Sequence, residues 1–196
     1  MITINEITIV RDNREIIYHF SEQIPAGSIT VIVGPNGSGK SSLLGAIAGD
    51  IVPTKGTITI DDVHPPLTSA EDLANLRAMA IQNQVYTLGF TVRQVIEMGG
   101  AADEIMGQLY LTHLANRRVT TLSGGESQRV AIAQAIAQNT PVLLLDEPLS
   151  AQDIDSRQRI IELLKKRADA GSTIVVVAHS HENDLSWADK VIKNLL

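Results

Sequence analysis

The feature that most constrains this chain is Gly34-Pro35-Asn36-Gly37-Ser38-Gly39-Lys40-Ser41, set directly after the apolar run Ile29–Val33 and directly before a helical stretch at residues 40–48. It matches the pattern G-x-x-x-x-G-K-[ST], in which the glycines let consecutive backbone N–H groups turn inward onto phosphate oxygens. A helix that starts at such a loop adds the positive end of its dipole. The spacing therefore predicts a strand, a phosphate-holding turn and a helix in that order. The expected cradle runs from Gly34 through Ser42, with Lys40 reaching the outer phosphates and the Ser41 hydroxyl holding Mg2+. A glycine-rich turn alone could match by accident; its placement between strand and helix argues against that.

Two strand textures surround the loop. Residues 2–10 alternate Ile2, Ile4, Ile7 and Ile9 with polar neighbours, and Thr57-Ile58-Thr59-Ile60-Asp61 repeats the alternation after a turn at Lys55-Gly56. Such alternation predicts antiparallel strands with one buried face. By contrast, Ile29–Val33, Val142–Leu145 and Ile174–Ala178 are short continuous apolar runs, which suit strands of a parallel sheet covered on both sides. Helical stretches are expected over 40–48, about 92–138 and 155–169, the last with Ile160, Ile161, Leu163 and Leu164 as its apolar face. Alternating strands and helices predict an α/β fold with a mainly parallel sheet, and with the Gly34–Ser41 loop the arrangement resembles a P-loop NTPase core. An antiparallel β subdomain at the amino-terminal end joins that core over residues 1–82 and 139–196. The region from about 83 to 138 shows no strand pattern and is expected to be a small inserted α-helical subdomain.

Val142-Leu143-Leu144-Leu145-Asp146-Glu147-Pro148 ends a buried strand in two carboxylates, the place where open α/β sheets bind ligands. Asp146 is expected in the Mg2+ shell, and Glu147 is expected to polarise the water that attacks the terminal phosphate. Alone, Asp-Glu-Pro after an apolar run reads equally as a solvated turn. The phosphate loop in the same chain decides for chemistry.

A second anion-binding turn is written in Leu122-Ser123-Gly124-Gly125-Glu126-Ser127-Gln128-Arg129. Ser123 is a good helix cap, and Gly124 and Gly125 expose backbone N–H groups at the start of a helix continuing through Val130–Ala137. An ordinary serine-capped helix would look the same without the other motifs. Together with them, this octapeptide resembles the signature of ATP-binding cassette proteins, at the family's usual distance before the acidic element. The resemblance implies ATP and Mg2+ as cofactors. It also implies a head-to-tail dimer in which Ser123, Gly124 and Gly125 of one copy close over the nucleotide held by the other. Both active sites would then be shared.

Further positions follow from the same resemblance. Gln82, nine residues before Thr91-Val92-Arg93, is similar to the family's glutamine-loop residue and is expected to contact Mg2+ and the attacking water; Gln84 competes for that role. His179, at the end of the last buried strand, takes the place of the switch histidine that contacts the terminal phosphate. His19, His64, His113 and His181 have no such context. Ser150-Ala151-Gln152-Asp153 resembles the loop after the catalytic glutamate, usually Ser-Ala-Leu-Asp; Asp153 keeps its place toward the nucleotide, and Gln152 is a departure expected to alter packing more than chemistry. Where relatives carry a tyrosine that stacks on adenine stands Arg11, either lying against the purine or solvated.

Net charge of −6, with no run of like charges, excludes nucleic acid as an expected partner. The chain has no cysteine, which removes thiolate metal sites and thiol nucleophiles. Met1–Glu6 lacks a basic segment leading into an apolar one, and no apolar run approaches the roughly 18 residues that cross a bilayer. No direct membrane insertion is expected. The resemblance implies a cytoplasmic ATPase, peripheral on the cytoplasmic face of the cell membrane, that drives a separate integral-membrane permease. The stretch Gly89–Gly99 is similar to subunits paired with iron-chelate and cobalamin permeases. The short Gly99–Asp103 connection predicts a small helical subdomain, and an end at Leu196 predicts no carboxyl-terminal regulatory domain. The competing readings are a soluble cassette acting in translation or DNA repair, which would show tandem cassettes, a coiled-coil insertion or a basic surface, and a slow nucleotide-dependent regulator. A phosphate-loop kinase or GTPase would leave Leu122–Gln128 unexplained.

Overall fold

The computed structural model describes residues 1–82, 84–179, 184–193 and 195. Its centre is a five-stranded parallel sheet of β3 (Ile29–Gly34), β5 (Arg77–Ala80), β6 (Val142–Asp146), β7 (Thr173–His179) and β8 (Lys190–Lys193), in the spatial order β5-β6-β7-β3-β8. The continuous apolar runs arise because both faces of this sheet are covered. On β7, Ile174, Val176 and Ala178 enter one core and Val175 and Val177 the other. On β6, Leu143 and Leu145 part in the same way from Val142 and Leu144.

One face packs against α1 (Lys40–Ala48) and against a three-stranded antiparallel sheet of order β2-β1-β4, formed by β1 (Ile2–Arg11), β2 (Arg14–Ile24) and β4 (Lys55–Ile60). Here the alternation expected from Ile2, Ile4, Ile58 and Ile60 puts each of them at 2% exposure or less, while Thr59 between Ile58 and Ile60 remains half-buried. Lys55 and Gly56 belong to β4 itself rather than to a turn before it, and Thr8 pairs with Lys55 across a register shift in β1. The long strand β2 was not anticipated. Its polar residues stand on an exposed face, and only Ile17 and Ile24 are buried.

The other face carries α5 (Gly124–Ala137), α6 (Ile154–Asp169) and the short helices α3 (Val92–Glu97) and α4 (Ala102–Gln108); α2 (Ala70–Leu76) leads into β5 at the sheet edge. No strand lies among the described residues between β5 and β6. The helical region expected over about 92–138 consists of three helices and two 3-10 turns. Thr91 and Gln94 form a capping box that starts α3, and Gly99–Gly100 separates it from α4. Ser123 and Glu126 form a second box that starts α5. Among the described residues no helix is long and apolar enough to cross a membrane.

Two-sided burial has a measurable consequence. Val175→Thr and Val176→Thr point to opposite faces, and each should lower unfolding free energy by about 1–3 kcal/mol in chemical denaturation, because either buries an extra hydroxyl. In β4, Ile58→Thr should cost a similar amount and Thr59→Val should change stability by less than about 0.5 kcal/mol.

Candidate phosphate-binding site

The carboxyl ends of β3, β6 and β7 are adjacent, and each delivers one group to the same cleft of about 400 Å³. From β3, the chain turns through Gly34–Gly39 into α1. Gly39 adopts φ 90°, a left-handed conformation that L side chains rarely take, and a Cβ there would lie 2.8 Å from the Ile16 side chain. Only glycine lets the loop close down on β2 and aim the first N–H groups of α1 into the cleft. Those groups have no acceptor within the helix. Asn36, Gly37, Gly39, Lys40, Ser41 and Ser42 all line the cleft. Lys40 is 5% exposed, and its ammonium donates to the carbonyls of Gly34 and Pro35 at 2.9 Å each, so it closes the loop on itself. Ser38 Oγ is buried without a hydrogen-bond partner.

From β6 come Asp146 and Glu147, both 7% exposed. Burial raises the Asp146 carboxyl above its ordinary value, opposed by a hydrogen bond with Ser41 and by the charge of Lys40, and reinforced by the neighbouring Glu147 charge. Asp146 Oδ1 has no partner. Ser41 and Asp146 thus already stand together, with a carboxylate oxygen left over. A divalent cation shared by a hydroxyl and a buried carboxylate fits this donor set, since it would satisfy the orphaned oxygen and offset the buried charge.

Glu147 follows the strand at φ 50°, held by its N–H to Val177 O at 3.0 Å. This left-handed turn directs its side chain away from that of Asp146 and toward two partners. His179 at the end of β7 places Nε2 2.6 Å from Glu147 Oε2, and the Gln82 amide donates to the same oxygen. Gln82, Glu147 and His179, expected from separate segments, are therefore brought together on the cleft wall.

Arg11 also lines this cleft, beside Ile16. Gln84 does not. It lines a second cleft of about 350 Å³, and its carbonyl accepts from the Ser127 hydroxyl at 3.2 Å. Ser123 and Gly124 line that second cleft too, and Gln82 is shared by both. Ser123 N–H donates to Glu126 at 2.7 Å, and this bond foremost holds the Glu126 carboxyl below its ordinary value. The signature turn thus stands apart from the phosphate loop of its own chain. Asp153 lines neither cleft; it caps α6, accepting from Ser156 N–H at 2.7 Å. Gln152 accepts from Arg129 and donates to Gly125 O, contacts that sequence reasoning missed because an amide replaces the usual leucine. His181 lies outside the described residues.

Comparison with known proteins bears on this geometry. Residues 17–150 match the family model described as ABC transporter, a segment that contains the phosphate loop, the signature turn and both carboxylates. The hemin import ATP-binding protein of Nocardia farcinica is 41% identical over 86% of this chain and 63% of its own length. The cobalamin import ATP-binding protein of Halobacterium salinarum is 42% identical over 85% of this chain and 46% of its own length. The chain thus matches less than two thirds of either relative. A dimeric ATP-binding cassette in a post-hydrolysis state, bound to ADP and Pi, superposes with a TM-score of 0.84 at 27% identity, covering 99% of this chain and 94% of that one. By its motifs, its sheet and these matches, the chain belongs to the ABC transporter family.

Proposed function

We propose that this chain is the ATP-hydrolysing motor of an ABC membrane transporter, working as a head-to-tail dimer around two Mg-ATP and driving a separate integral-membrane permease. The observation that carries the proposal is the meeting of Lys40, Glu147 and His179 in one cleft at three adjacent strand ends, with Asp146 buried beside Ser41 and Lys40. In this reading residues 1–82 and 139–196 form the core and β subdomain, and about 83–138 the helical subdomain. The site of action is the cytoplasmic face of the membrane.

Each residue has a part that its surroundings support. The turn from Asn36 to Ser42 presents N–H donors to the phosphates, and Lys40 exchanges its two carbonyl partners for phosphate oxygens. Ser41 and Asp146 would hold Mg2+, with Gln82 completing the set once it leaves Glu147. Bound there, the cation supplies charge neutralisation on the phosphates. Glu147 orients water and accepts its proton, while His179, released from Glu147, donates to the terminal phosphate. Arg11 with Ile16 offers the base a cation and an apolar wall in place of an aromatic ring. Ser123 and Gly124 line a cleft other than the one beside their own chain's phosphate loop, which supports the action of the Ser123–Gly125 turn on the partner's nucleotide. The exposed Val85, Leu88 and Phe90 offer a permease an apolar docking edge. The relatives' names point to a metal chelate, hemin-like or cobalamin-like, as the imported cargo.

Glu147→Gln should retain ATP binding, lower hydrolysis by about 100-fold or more and accumulate a dimer with ATP and Mg2+, measured by phosphate release and light scattering. A variant that remains monomeric at saturating ATP would sink the two-copy reading. Asp146 yields a second outcome. Its folded-state pKa is raised, so the ionised carboxyl costs stability as pH rises through the window between its unfolded and folded values. Without nucleotide or Mg2+, Asp146→Asn should therefore melt a few degrees higher than the parent at pH 7. That gain should shrink as the pH falls toward 4. Added Mg-ATP should stabilise the parent more than the variant.

A further inference from the structure

Gln152 occupies a position where the family's loop usually carries leucine, and its side chain joins the start of α5 to the loop that leads into α6. Its amide N–H donates to Gly125 O at 3.2 Å, and its Oε1 accepts from Arg129 Nη1 at 2.8 Å. Arg129 also reaches Ser156 Oγ at 3.3 Å, and Ser156 N–H is the donor to Asp153. The first turns of α5 and α6 are thus laced together with Gln152 at the crossing point. The fit is close. A Cβ on Gly125 would lie 2.7 Å from Ala151 O, so the signature turn and the loop after Glu147 are pressed backbone to backbone.

On its other side the loop runs back to the phosphate cleft. Ser150 donates to Glu147 O through both its N–H, at 3.2 Å, and its hydroxyl, at 2.9 Å. From Glu147 to Ser150 to Gln152 to Gly125 there is no slack, because each step is either covalent or hydrogen-bonded. A leucine could fill the space but could bond neither Gly125 O nor Arg129.

We infer that Gln152 is a positioning residue that ties the Glu147 end of a chain's own phosphate cleft to the signature turn it offers its partner, so that one site's state is felt at the other. This rests on the two-copy reading above. A displacement of Glu147, as when Gln82 and His179 exchange partners, is carried through Gln152 to the N–H groups of Gly124 and Gly125. The bond to Gly125 O sets the height of that turn, and the bond to Arg129 fixes its rotation about the axis of α5. Gln152 touches no nucleotide in this arrangement.

The test uses the full chain in the Glu147→Gln background, with ATP-dependent dimer formation as the readout and ATP binding by dilute monomer as the reference. Gln152→Leu should leave monomer binding within about twofold and raise the ATP concentration for half-maximal dimerisation by up to about 25-fold, since two hydrogen bonds are lost and each is worth a factor of about five. Gln152→Glu should still bind Arg129 but set a carboxylate oxygen against Gly125 O, and should weaken dimerisation at least as much. In otherwise native chains, both variants should raise KM for ATP and reduce the steepness of the ATP dependence, with a smaller effect on kcat. Unaltered dimerisation in both variants, or equal losses in monomer binding and dimerisation, would overturn the inference. If Glu147→Gln alone forms no dimer with ATP, the two-copy reading itself fails and this inference falls with it; if that parent dimerises and the Gln152 variants match it, only the role of Gln152 is lost.

Discussion

Three ionisable groups, Lys40, Asp146 and Glu147, are buried close together at the ends of a parallel sheet, and the rest of the molecule is arranged to make that tolerable. Burying a charge is costly unless it is paired. Lys40 satisfies itself on loop carbonyls, Asp146 leans on Ser41 and Lys40, and Glu147 draws on Gln82 and His179. These partners come from three stretches of sequence, the phosphate loop, Gln82 and His179. Only a sheet that aligns the carboxyl ends of β3, β6 and β7 can gather them, and only covering both faces of that sheet keeps its strands in place.

The pairing is also provisional. A lysine satisfied by backbone oxygens, a carboxylate with one oxygen unmatched and a glutamate that receives two donors on a single oxygen can all trade partners without unfolding anything. The side chains that change hands are confined to the cleft, while the strands behind them are anchored in two separate cores. Rigidity of the frame and exchangeability of the site are properties of different layers of the same fold.

What could be read from the sequence follows from how locally each signal is written. The phosphate loop and the Asp146-Glu147 pair are contiguous, and each is flanked by an apolar run that fixes its context. The buried strands were legible because two-sided burial leaves an unbroken run of Ile, Val and Leu. β5 was not, since Arg77-Ala78-Met79-Ala80 has no β-branched residue and is a strand only because β6 offers it an edge. β2 hid for the opposite reason, an exposed face of charged and polar residues along an edge strand. Spacing to Thr91-Val92-Arg93 favoured Gln82 over Gln84, and of the two only Gln82 reaches the phosphate cleft, while both line the second one. Asp153, marked by family position for the nucleotide, caps α6 within its own chain.

The backbone of Glu147 carries a further implication. A residue with a Cβ at φ 50° pays roughly 1–2 kcal/mol that glycine would not. Neighbouring hydrogen bonds to Val177 O and from Ser150 hold the strained turn without removing its cost. Folding by itself would favour a bare α-carbon there. An acidic side chain at this position is therefore a concession by conformational stability to reactivity, and substitutions that keep a side chain of equal length leave that concession unaltered, isolating the carboxylate's charge from the torsion beneath it.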